Sequence, residues 1–496
     1  MGDARVAASF ETLARDAFET RSEKKSGKES HAQTHAKHGD ESFVTPAAFA
    51  LGGACAGLES RARFLPFVVA GVADAADARA EYAFLVATRE AIFSASRDDR
   101  RDDGSLAANS TDSRVDDSEK AEKTESSSFF TGSETSSLVE ALLAAAERTK
   151  EEGARAVVAE CLGRLAARET TLFLFLEKDD DADDDADDDD RAEGLGLTAR
   201  LRGDARDARL GPGRRATAIA AAKHAVLHGE TRAVRAALIH RALPGFVTHE
   251  TVTDAATRVA ATRCLSAAAH AEPAAVASGR ATDWIGAVAP ALFAQTPVDK
   301  TLVRVVDLGP FKHTVDDGLE TRKAAFECLA TLVDAFRVAA AEASTAADDV
   351  AGDAGDFLDG APPGFANGVA TAASLGAGDH YDVKIVAHAL IGALVKSRLG
   401  LEAARGVLPE TCAAFKATLT AKLKSDAVKQ ETDRAADLAR SCLRAVAALR
   451  AKLGEGHEER DPAFAAFVAE TVMTEKHAKA FEDACAAAAE EDGVAA

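Results

Sequence analysis

The sequence predicts an all-α protein, a HEAT/armadillo-like α-solenoid with one projecting β-hairpin and disordered insertions. Three observations lead to this prediction. Hydrophobic residues make up 47% of the chain but aromatic residues only 5%, and alanine, the best helix former, supplies much of the apolar content. A helical motif recurs along the chain. One β-branched stretch interrupts the helical pattern.

The recurring motif is clearest in ARAVVAECLGRL (154–165), TRVAATRCLSAA (257–268) and TRKAAFECLATL (321–332). Aligned on its late Leu or Val, the anchor residues are Leu51, Leu162, Val226, Leu265, Leu329 and Leu390. The distance from Val226 to Leu265 approaches the roughly 40–47 residues of a HEAT or armadillo unit, and wider gaps leave room for insertions. Because one helix pair cannot bury its apolar face alone, we expect the pairs to stack on each other.

This pattern divides the chain into repeats and interruptions. An N-terminal helix is predicted at 1–20, and HEAT repeats are predicted at 42–96, 138–176, 214–340 and 364–496, the last including a C-terminal cap. Three interruptions are predicted: a disordered insertion at 97–137, an acidic, Gly-rich disordered insertion at 177–213, and a linker at 341–363. Ten of the twelve residues from Asp179 to Asp190 are aspartate. They lack the Gly and closing Glu of an EF-hand loop, so we interpret the run as a solvated acidic tether.

The net charge and the cysteine content of the chain limit the kinds of function that it can have. A formal net charge of −22 argues against nucleic acid and anionic membranes as partners, since both require a basic surface. The seven cysteines are scattered and form no CxxC pair, as expected of reduced core cysteines. We expect a soluble intracellular protein of the cytoplasm and nucleus.

The sequence carries no recognisable catalytic motif. GxGxxG, GxxxxGK[ST], GxSxG and HExxH are all missing from it. His224 and His228 lie four residues apart, but HAVLH lacks the Glu of a zinc protease, and His31, His35 and His38 lack Cys or carboxylate partners at ligand spacing. We therefore predict no catalytic residue, no metal and no cofactor.

The stretch from Leu302 to Val315 differs from its surroundings. Its residues are β-branched and aromatic, and Gly309-Pro310 divides it, which predicts a β-hairpin at 302–315. Leu308, Pro310 and Phe311 lie at or next to the tip, and an exposed apolar tip favours a partner's pocket. The alternative is a hairpin packed on its own repeat.

The same stretch carries a resemblance to a known family. GPFKHTVDDGL followed by RKAAFEC resembles the C-terminal region of the cullin-associated and neddylation-dissociated proteins, also described as TATA-binding-protein-interacting proteins. The resemblance continues in 47–69, 151–165, 257–273, 379–390 and 422–449, in family order. The three insertions depart from the family pattern, and the family's long N-terminal part has no counterpart here.

The resemblance implies a regulatory solenoid that binds cullin scaffolds lacking the ubiquitin-like modifier. Its hairpin would overlap the adaptor site at the cullin's N-terminal end and promote exchange of adaptors in SCF-type cullin–RING ubiquitin ligases, without catalysis. Without the N-terminal part, we expect competition at the adaptor site rather than full sequestration. The implied partner-binding residues are Val306, Leu308, Gly309, Pro310, Phe311, Lys312, His313 and Thr314, with Asp382 and Lys384 less directly implied.

Two other functions remain open from the sequence. An importin-like HEAT scaffold would bind basic cargo on an acidic inner face, with binding that weakens steeply as salt rises. The family's second description suggests a partner of the TATA-binding protein.

Overall fold

The structure, a computed structural model, describes residues 41–55, 58–75, 77–106, 130, 132–177, 196–248, 254–309, 311–346, 356–423, 428–454 and 456–494. These residues form helices and one two-stranded antiparallel sheet. The chain divides into two compact units, residues 1–230 and 231–496. The predicted class, an all-α HEAT/armadillo-like fold with a single β-hairpin, is confirmed for the described residues.

The first unit consists of helices that pack against one another. They are α1 (Glu41–Ala54), α2 (Leu58–Ala73), α3 (Ala78–Leu106), α4 (Gly132–Arg148), α5 (Glu152–Glu177), α6 (Gly196–Arg206) and α7 (Pro212–His228). Helix α1 packs against α3, and α5 packs against α7. At the second contact Gly163 lies so close to α7 that a Cβ there would stand 2.5 Å from the carbonyl oxygen of Ala221. A glycine is therefore required for this approach.

The second unit begins with short helices and continues through the hairpin into a longer helix. Its first elements are α8 (Arg232–Ala237), α9 (Pro244–Val247), α10 (Ala255–Ala271), α11 (Pro273–Val276), α12 (Gly279–Ala294), β1 (Val303–Leu308), β2 (Phe311–Asp316) and α13 (Leu319–Ala346). Asp254 begins α10 with a capping box in which its side chain accepts from the Thr257 N–H, which satisfies backbone donors at the helix start. Helix α10 packs directly against α13.

The unit ends in further helices that repeat this packing. They are α14 (Phe365–Gly376), α15 (Tyr381–Leu394), α16 (Arg398–Gly406), α17 (Leu408–Leu419), α18 (Lys429–Leu453), α19 (His457–Arg460), α20 (Pro462–Phe467) and α21 (Ala478–Val494). Helix α15 packs between α13 and α18, and α18 packs on α21. A π-helical turn, Val468–Val472, extends α20.

The repeat anchors lie in the core as the sequence pattern predicts. All six, Leu51, Leu162, Val226, Leu265, Leu329 and Leu390, are at most 2% exposed. Each anchor lies on a helix that packs against at least one other helix of its unit. Six of the seven cysteines are buried, and all seven, each in a described part of the chain, are free thiols.

In the structure, helices extend into two of the segments that the sequence pattern predicts as disordered insertions. Helix α6, 196–206, lies within the segment 177–213 predicted as disordered, because Leu197, Leu201 and Ala205 recur at helical spacing and are buried. The carboxylate of Glu169 also accepts the N–H of Leu197 at 2.8 Å, which caps that helix. Helices α3 and α4 likewise extend into the ends of the predicted insertion 97–137.

Other predictions fall on residues outside the described ranges. These are the N-terminal helix 1–20, the histidines His31, His35 and His38, and the Asp179–Asp190 run. Within the described ranges no helix is long and apolar enough to cross a membrane.

Candidate partner-binding hairpin

The hairpin has a regular register with a two-residue turn. Its pairs run from Val303↔Asp316 at the base to Leu308↔Phe311 at the tip. Gly309 adopts φ 77°, a left-handed conformation that glycine accepts at the first position of such turns without steric cost. The predicted β-hairpin is therefore confirmed for the described residues, with strand bounds of 303–308 and 311–316.

The register sorts the predicted partner-binding residues onto two faces. Residues directly opposite each other in an antiparallel pair share a face, and successive residues alternate. One face carries the pairs Arg304↔Val315, Val306↔His313 and Leu308↔Phe311. We call it the apolar face, since four of its six residues are Val, Leu or Phe.

The opposite face carries the pairs Val303↔Asp316, Val305↔Thr314 and Asp307↔Lys312. We call it the polar face. Lys312 and Thr314 therefore lie on a different face from Val306, Leu308, Phe311 and His313, so the predicted residues do not form one continuous surface.

Six of the ten described side chains in the two strands are exposed, and the other four are half-buried. Val305 is 64% exposed, and Arg304, Asp307, Lys312, His313 and Thr314 are also exposed, while Val306 is half-buried. The strands contact chiefly each other. The hairpin therefore projects from the helices. Pro310 and the side chains of Leu308 and Phe311 lie outside what the structure describes.

A buried arginine anchors the base of the hairpin to two helices. Arg322, in the first turn of α13, is 2% exposed. Its Nη2 donates to Asp316 Oδ2 at 2.7 Å, and its Nε donates to Asp379 Oδ2 at 2.8 Å. Asp316 is the last residue of β2, and Asp379 lies in the turn before α15. One guanidinium therefore joins the strand end to two consecutive helices of the stack.

The planar guanidinium suits this task because it binds two carboxylates at once. Nη1 reaches Asp316 Oδ1 at 3.2 Å, and Nη2 also reaches Asp379 Oδ1 at 3.1 Å, so both contacts are bidentate. The hydrogen bond from Arg322 holds the pKa of Asp316 below its ordinary value. Burial by itself would lower the pKa of Arg322, but its hydrogen bonds with both carboxylates raise it instead.

Two further contacts close the base. The Asp317 N–H donates to the Leu302 carbonyl at 3.1 Å, and Asp316 Oδ1 accepts the Gly318 N–H at 3.0 Å. Arg304 and Asp317, both exposed, form an ion pair at 2.8 Å. Surface pairs of this kind contribute little, so the orientation of the hairpin depends mainly on Arg322.

The two less directly implied residues, Asp382 and Lys384, lie outside the hairpin, in the first turn of α15. Asp382 Oδ2 is 3.8 Å from Lys323 Nζ, which places it beside the first turn of α13. Lys384 lies close enough to His388 to contribute to the lowering of that residue's pKa, after the larger effect of burial. The sequence did not single out Arg322 as an anchor. One sequence feature could have drawn attention to Arg322. A basic residue recurs near the start of several helices, at Arg155, Arg258, Arg322 and Lys384.

The two histidines that the sequence places four residues apart, His224 and His228, are both half-buried in the first unit. The rings of His224 and His228 stack with centroids 5.9 Å apart, and burial lowers the pKa of His224 to about 4. Glu160 Oε1 lies 3.9 Å from His228 Nε2 and accepts from Arg164 Nη2 at 2.8 Å. Among the described residues, no group of three or more His, Cys, Asp or Glu side chains is arranged to hold a metal ion.

The comparisons with known proteins find similarity in the region that contains the hairpin and its flanking helices. The family model described as TATA-binding protein interacting (TIP20) matches residues 281–472, a range that contains β1, β2, Arg322 and Asp379. Cullin-associated NEDD8-dissociated protein 1 of Arabidopsis thaliana is 33% identical over 301 residues, which cover 61% of this chain and 20% of that protein. The resemblance to the cullin-associated and neddylation-dissociated family is confirmed.

Other relatives match over shorter segments. Cullin-associated NEDD8-dissociated protein 1 of Drosophila melanogaster is 37% identical over 172 residues. Cullin-associated NEDD8-dissociated protein 2 of Rattus norvegicus is 35% identical over 170 residues. Each match covers 34% of this chain and 11% of the relative. The matched segments thus span about a tenth to a fifth of these relatives.

Solved structures show only distant likeness. A chain from a complex of Kap95p with RanGDP aligns with a TM-score of 0.39 at 11% identity, covering 88% of this chain and 48% of that one. A chain of a Kap121p mutant aligns with a TM-score of 0.35 at 13% identity, covering 90% and 39%. Likeness at this level identifies neither a function nor a partner.

Proposed function

We propose that this protein is a regulator of cullin–RING ubiquitin ligases that binds cullins lacking the NEDD8 modifier. In this proposal the hairpin occupies the site that the substrate-adaptor module uses at the cullin's N-terminal end. Competition at that site promotes exchange of adaptors in SCF-type ligases. The protein would act in the cytoplasm and nucleus, where its partners would be.

The observation that supports the proposal most is the projecting hairpin with a fixed base. A partner site gains affinity when its contact residues are held in the bound geometry beforehand, since less ordering entropy is lost on binding. Arg322 fixes the strand end against two helices, while most of the described side chains in the strands remain exposed. The relatives that share this region are named for association with cullins.

The apolar face is the part of the hairpin best suited to displace an adaptor. Protein interfaces depend on a few apolar or aromatic anchors that enter a partner's pocket. Leu308 and Phe311 form the pair nearest the tip, and the register places both on the face that carries Val306 and His313. We therefore assign the anchoring role to Leu308 and Phe311.

The proposed function requires no chemistry from the chain itself. Exchange of one partner for another needs competition for a shared site and no covalent step. The sequence offers no catalytic motif, and the relatives carry names of association and dissociation.

A pull-down with two forms of the same cullin–RING scaffold tests the proposal. The unmodified scaffold should retain this protein, and the scaffold carrying NEDD8 should not. Adding the adaptor module should reduce retention as its concentration rises. Equal retention by both scaffolds, or retention by neither, would refute the proposal.

The family description favours one second candidate, association with the TATA-binding protein. The same pull-down with that protein as bait separates the two functions. Retention by the TATA-binding protein and not by the cullin would favour the second candidate.

A further inference from the structure

The outer edge of β1 is distinct from the hairpin tip and from the Arg322 anchor. The sheet formed by the described residues has two strands, and these strands contact chiefly each other. Each strand therefore has one edge without a neighbouring strand. Such an edge presents backbone N–H and C=O groups that can pair with a further strand.

The base of the hairpin shows which backbone groups point outward. The Asp317 N–H donates to the Leu302 carbonyl at 3.1 Å, and this pair extends the register of β1 and β2 by one step. Hydrogen-bonded and non-hydrogen-bonded pairs alternate in an antiparallel ladder, so the even-numbered residues of β1 bond to β2. The residues whose backbone groups point away from β2 are the odd-numbered ones, Val303, Val305 and Asp307. We call these three residues the β1 edge.

Most of the outward backbone groups of the β1 edge are open. The Val303 N–H donates to the Lys300 carbonyl at the foot of the strand. Within the described part of the chain, the groups that remain are the Val303 carbonyl and both backbone groups of Val305 and of Asp307. An extended chain laid along this edge would satisfy them as β2 satisfies the inner groups.

The two edges of the hairpin differ in their side chains. On β2 the outward residues are Lys312, Thr314 and Asp316, and Asp316 is held by Arg322. A lysine on an edge strand opposes pairing with another strand. On the β1 edge two of the three residues are valines, and Val305 is 64% exposed, more than any other large hydrophobic residue that the structure describes. The β1 edge is therefore the one suited to a partner.

Asp307 adds a charge requirement at one end of the β1 edge. Its side chain is exposed. Lys312 lies opposite it in the register, yet among the described residues Asp307 forms no ion pair. Opposite charges directly across a strand pair are stabilising, and like charges are destabilising. The β1 edge therefore favours a strand that carries a basic residue opposite Asp307.

A second copy of this protein does not meet both requirements. Pairing of two β1 edges would set a valine or another aspartate against Asp307, because the edge contains no basic residue. Pairing with β2 of a second copy would set Thr314 against Val305 and leave a further β1 edge open, so the contact would not close. The fitting occupant is a different protein.

We propose that the β1 edge binds an extended segment of a partner protein as an antiparallel third strand. The segment carries a basic residue opposite Asp307 and, two and four residues later, β-branched apolar residues opposite Val305 and Val303. Backbone hydrogen bonds hold the segment, and its alternate side chains provide specificity. The edge spans about 13 Å at about 3.3 Å per residue, so a short segment fills it. The proposal does not depend on the cullin function, because it uses the edge of the hairpin and not its tip.

A peptide-binding measurement on the full chain tests the β1 edge. The probe is a fluorescent peptide, Gly-Ser-Lys-Thr-Val-Thr-Val-Ser-Gly, and binding is followed by fluorescence polarisation. In the proposed register the N–H of the first valine points to β1, and the N–H of the threonine before it points away. N-methylation of that valine should weaken binding by about tenfold or more, and N-methylation of that threonine should have little effect.

Matched proline variants assign the binding to one edge. Proline lacks an N–H and is tolerated on edge strands, and the opposed pair Val305↔Thr314 has both N–H groups pointing outward. Val305→Pro should weaken probe binding by about tenfold or more, and Thr314→Pro should leave it unchanged. Hydrogen exchange at the Val306 and His313 amides, which bond across the hairpin, should stay slow in both variants.

A substitution at Asp307 tests the charge requirement. The unaltered protein should prefer the lysine probe to a probe with glutamine in place of lysine. Asp307→Asn should bind the two probes equally. A preference for lysine that persists in Asp307→Asn would show that the register is wrong.

Three further results would overturn the proposal. They are equal effects of the two N-methylated probes, equal effects of the two proline variants, and no binding of the probe to the unaltered protein. Self-association that Val305→Pro abolishes would also overturn it, because the occupant would then be a second copy. Leu308→Asp, at the hairpin tip, should bind the probe normally, so failure of this proposal is distinguishable from failure of the proposed cullin function.

Discussion

The guanidinium of Arg322 holds the carboxylate of Asp379, 57 residues further along the chain, with Nε 2.8 Å from Oδ2. The same guanidinium holds Asp316 at the end of β2. The side chains of Arg322 and Asp379 are 3% and 8% exposed. This buried pair links the hairpin to the stack of helices, so the position of the proposed binding surface depends on it.

Replacing Arg322 by Met should destabilise the second unit by about 3 kcal/mol, because it leaves two carboxylates facing each other in a largely buried site. Chemical denaturation measures the loss, and hydrogen exchange at the amides of β1 and β2 should accelerate. Arg337→Met is the matched control, since Arg337 on the same helix forms an exposed pair with Asp334 and should cost less than about 1 kcal/mol. Equal losses for the two variants would show that Arg322 is not an anchor.

Replacing Gly309 by Ala should loosen the hairpin without unfolding the helices. An L-residue in the left-handed conformation costs about 1–2 kcal/mol, and Gly309 has φ 77°. A Cβ there would meet no atom of the rest of the chain within 4 Å, so the cost arises within the local backbone and not from contact with other elements. Hydrogen exchange at Val306 and His313 should accelerate while the global unfolding free energy stays nearly constant. Unchanged exchange at these residues would contradict the turn geometry.

Replacing Gly163 by Ala should destabilise the first unit by about 1–3 kcal/mol, the usual cost of overpacking. The added methyl would stand 2.4 Å from the His224 Cβ and 2.5 Å from a backbone oxygen of α7, and backbone cannot move aside cheaply. Gly153→Ala on the same helix meets nothing within 4 Å and serves as the control. Thermal unfolding of both variants checks the prediction, and a neutral Gly163→Ala would contradict the close packing of α5 and α7.

The stability of the second unit should fall as pH drops from about 6.5 to about 4, because His388 is buried and neither ring nitrogen has a partner. Burial lowers its pKa from 6.5 to about 4, with a smaller contribution from Lys384. In this window the unfolded chain binds the proton and the folded chain does not, so acid favours unfolding by about 3 kcal/mol in total.

His388→Phe should flatten that pH dependence, since phenylalanine keeps the edge-to-face contact with Phe415 without a titratable group. His270→Phe, at an exposed position of α10, should keep the slope. Denaturation midpoints between pH 4 and 7 measure both variants. A slope that persists in His388→Phe would assign the pH dependence to other groups.

The sequence predicts the helical repeats and the hairpin well because both depend on local patterns. The anchors Leu265 and Leu329 are spaced for stacking helices and are buried, and Gly309-Pro310 marks a turn whose strands pair in register. Helix α6 was missed because its apolar residues, Leu197, Leu201 and Ala205, are few and follow the Asp-rich run. The Asp-rich composition of the segment therefore favoured disorder in the prediction, although these three residues have helical spacing.

The Arg322 anchor could not be predicted from local patterns. Arg322 and Asp379 meet only after α13 and α14 have packed, and a recurrent basic residue does not reveal which carboxylate it binds.

The affinity of hairpin variants for an unmodified cullin tests the central claim most directly. Leu308→Asp and Phe311→Asp should each weaken binding by about 2 kcal/mol or more, roughly thirtyfold, as expected of central anchors. Val305→Asp, on the polar face and 64% exposed, should bind like the unaltered protein. Unchanged affinity in Leu308→Asp and Phe311→Asp would contradict the account.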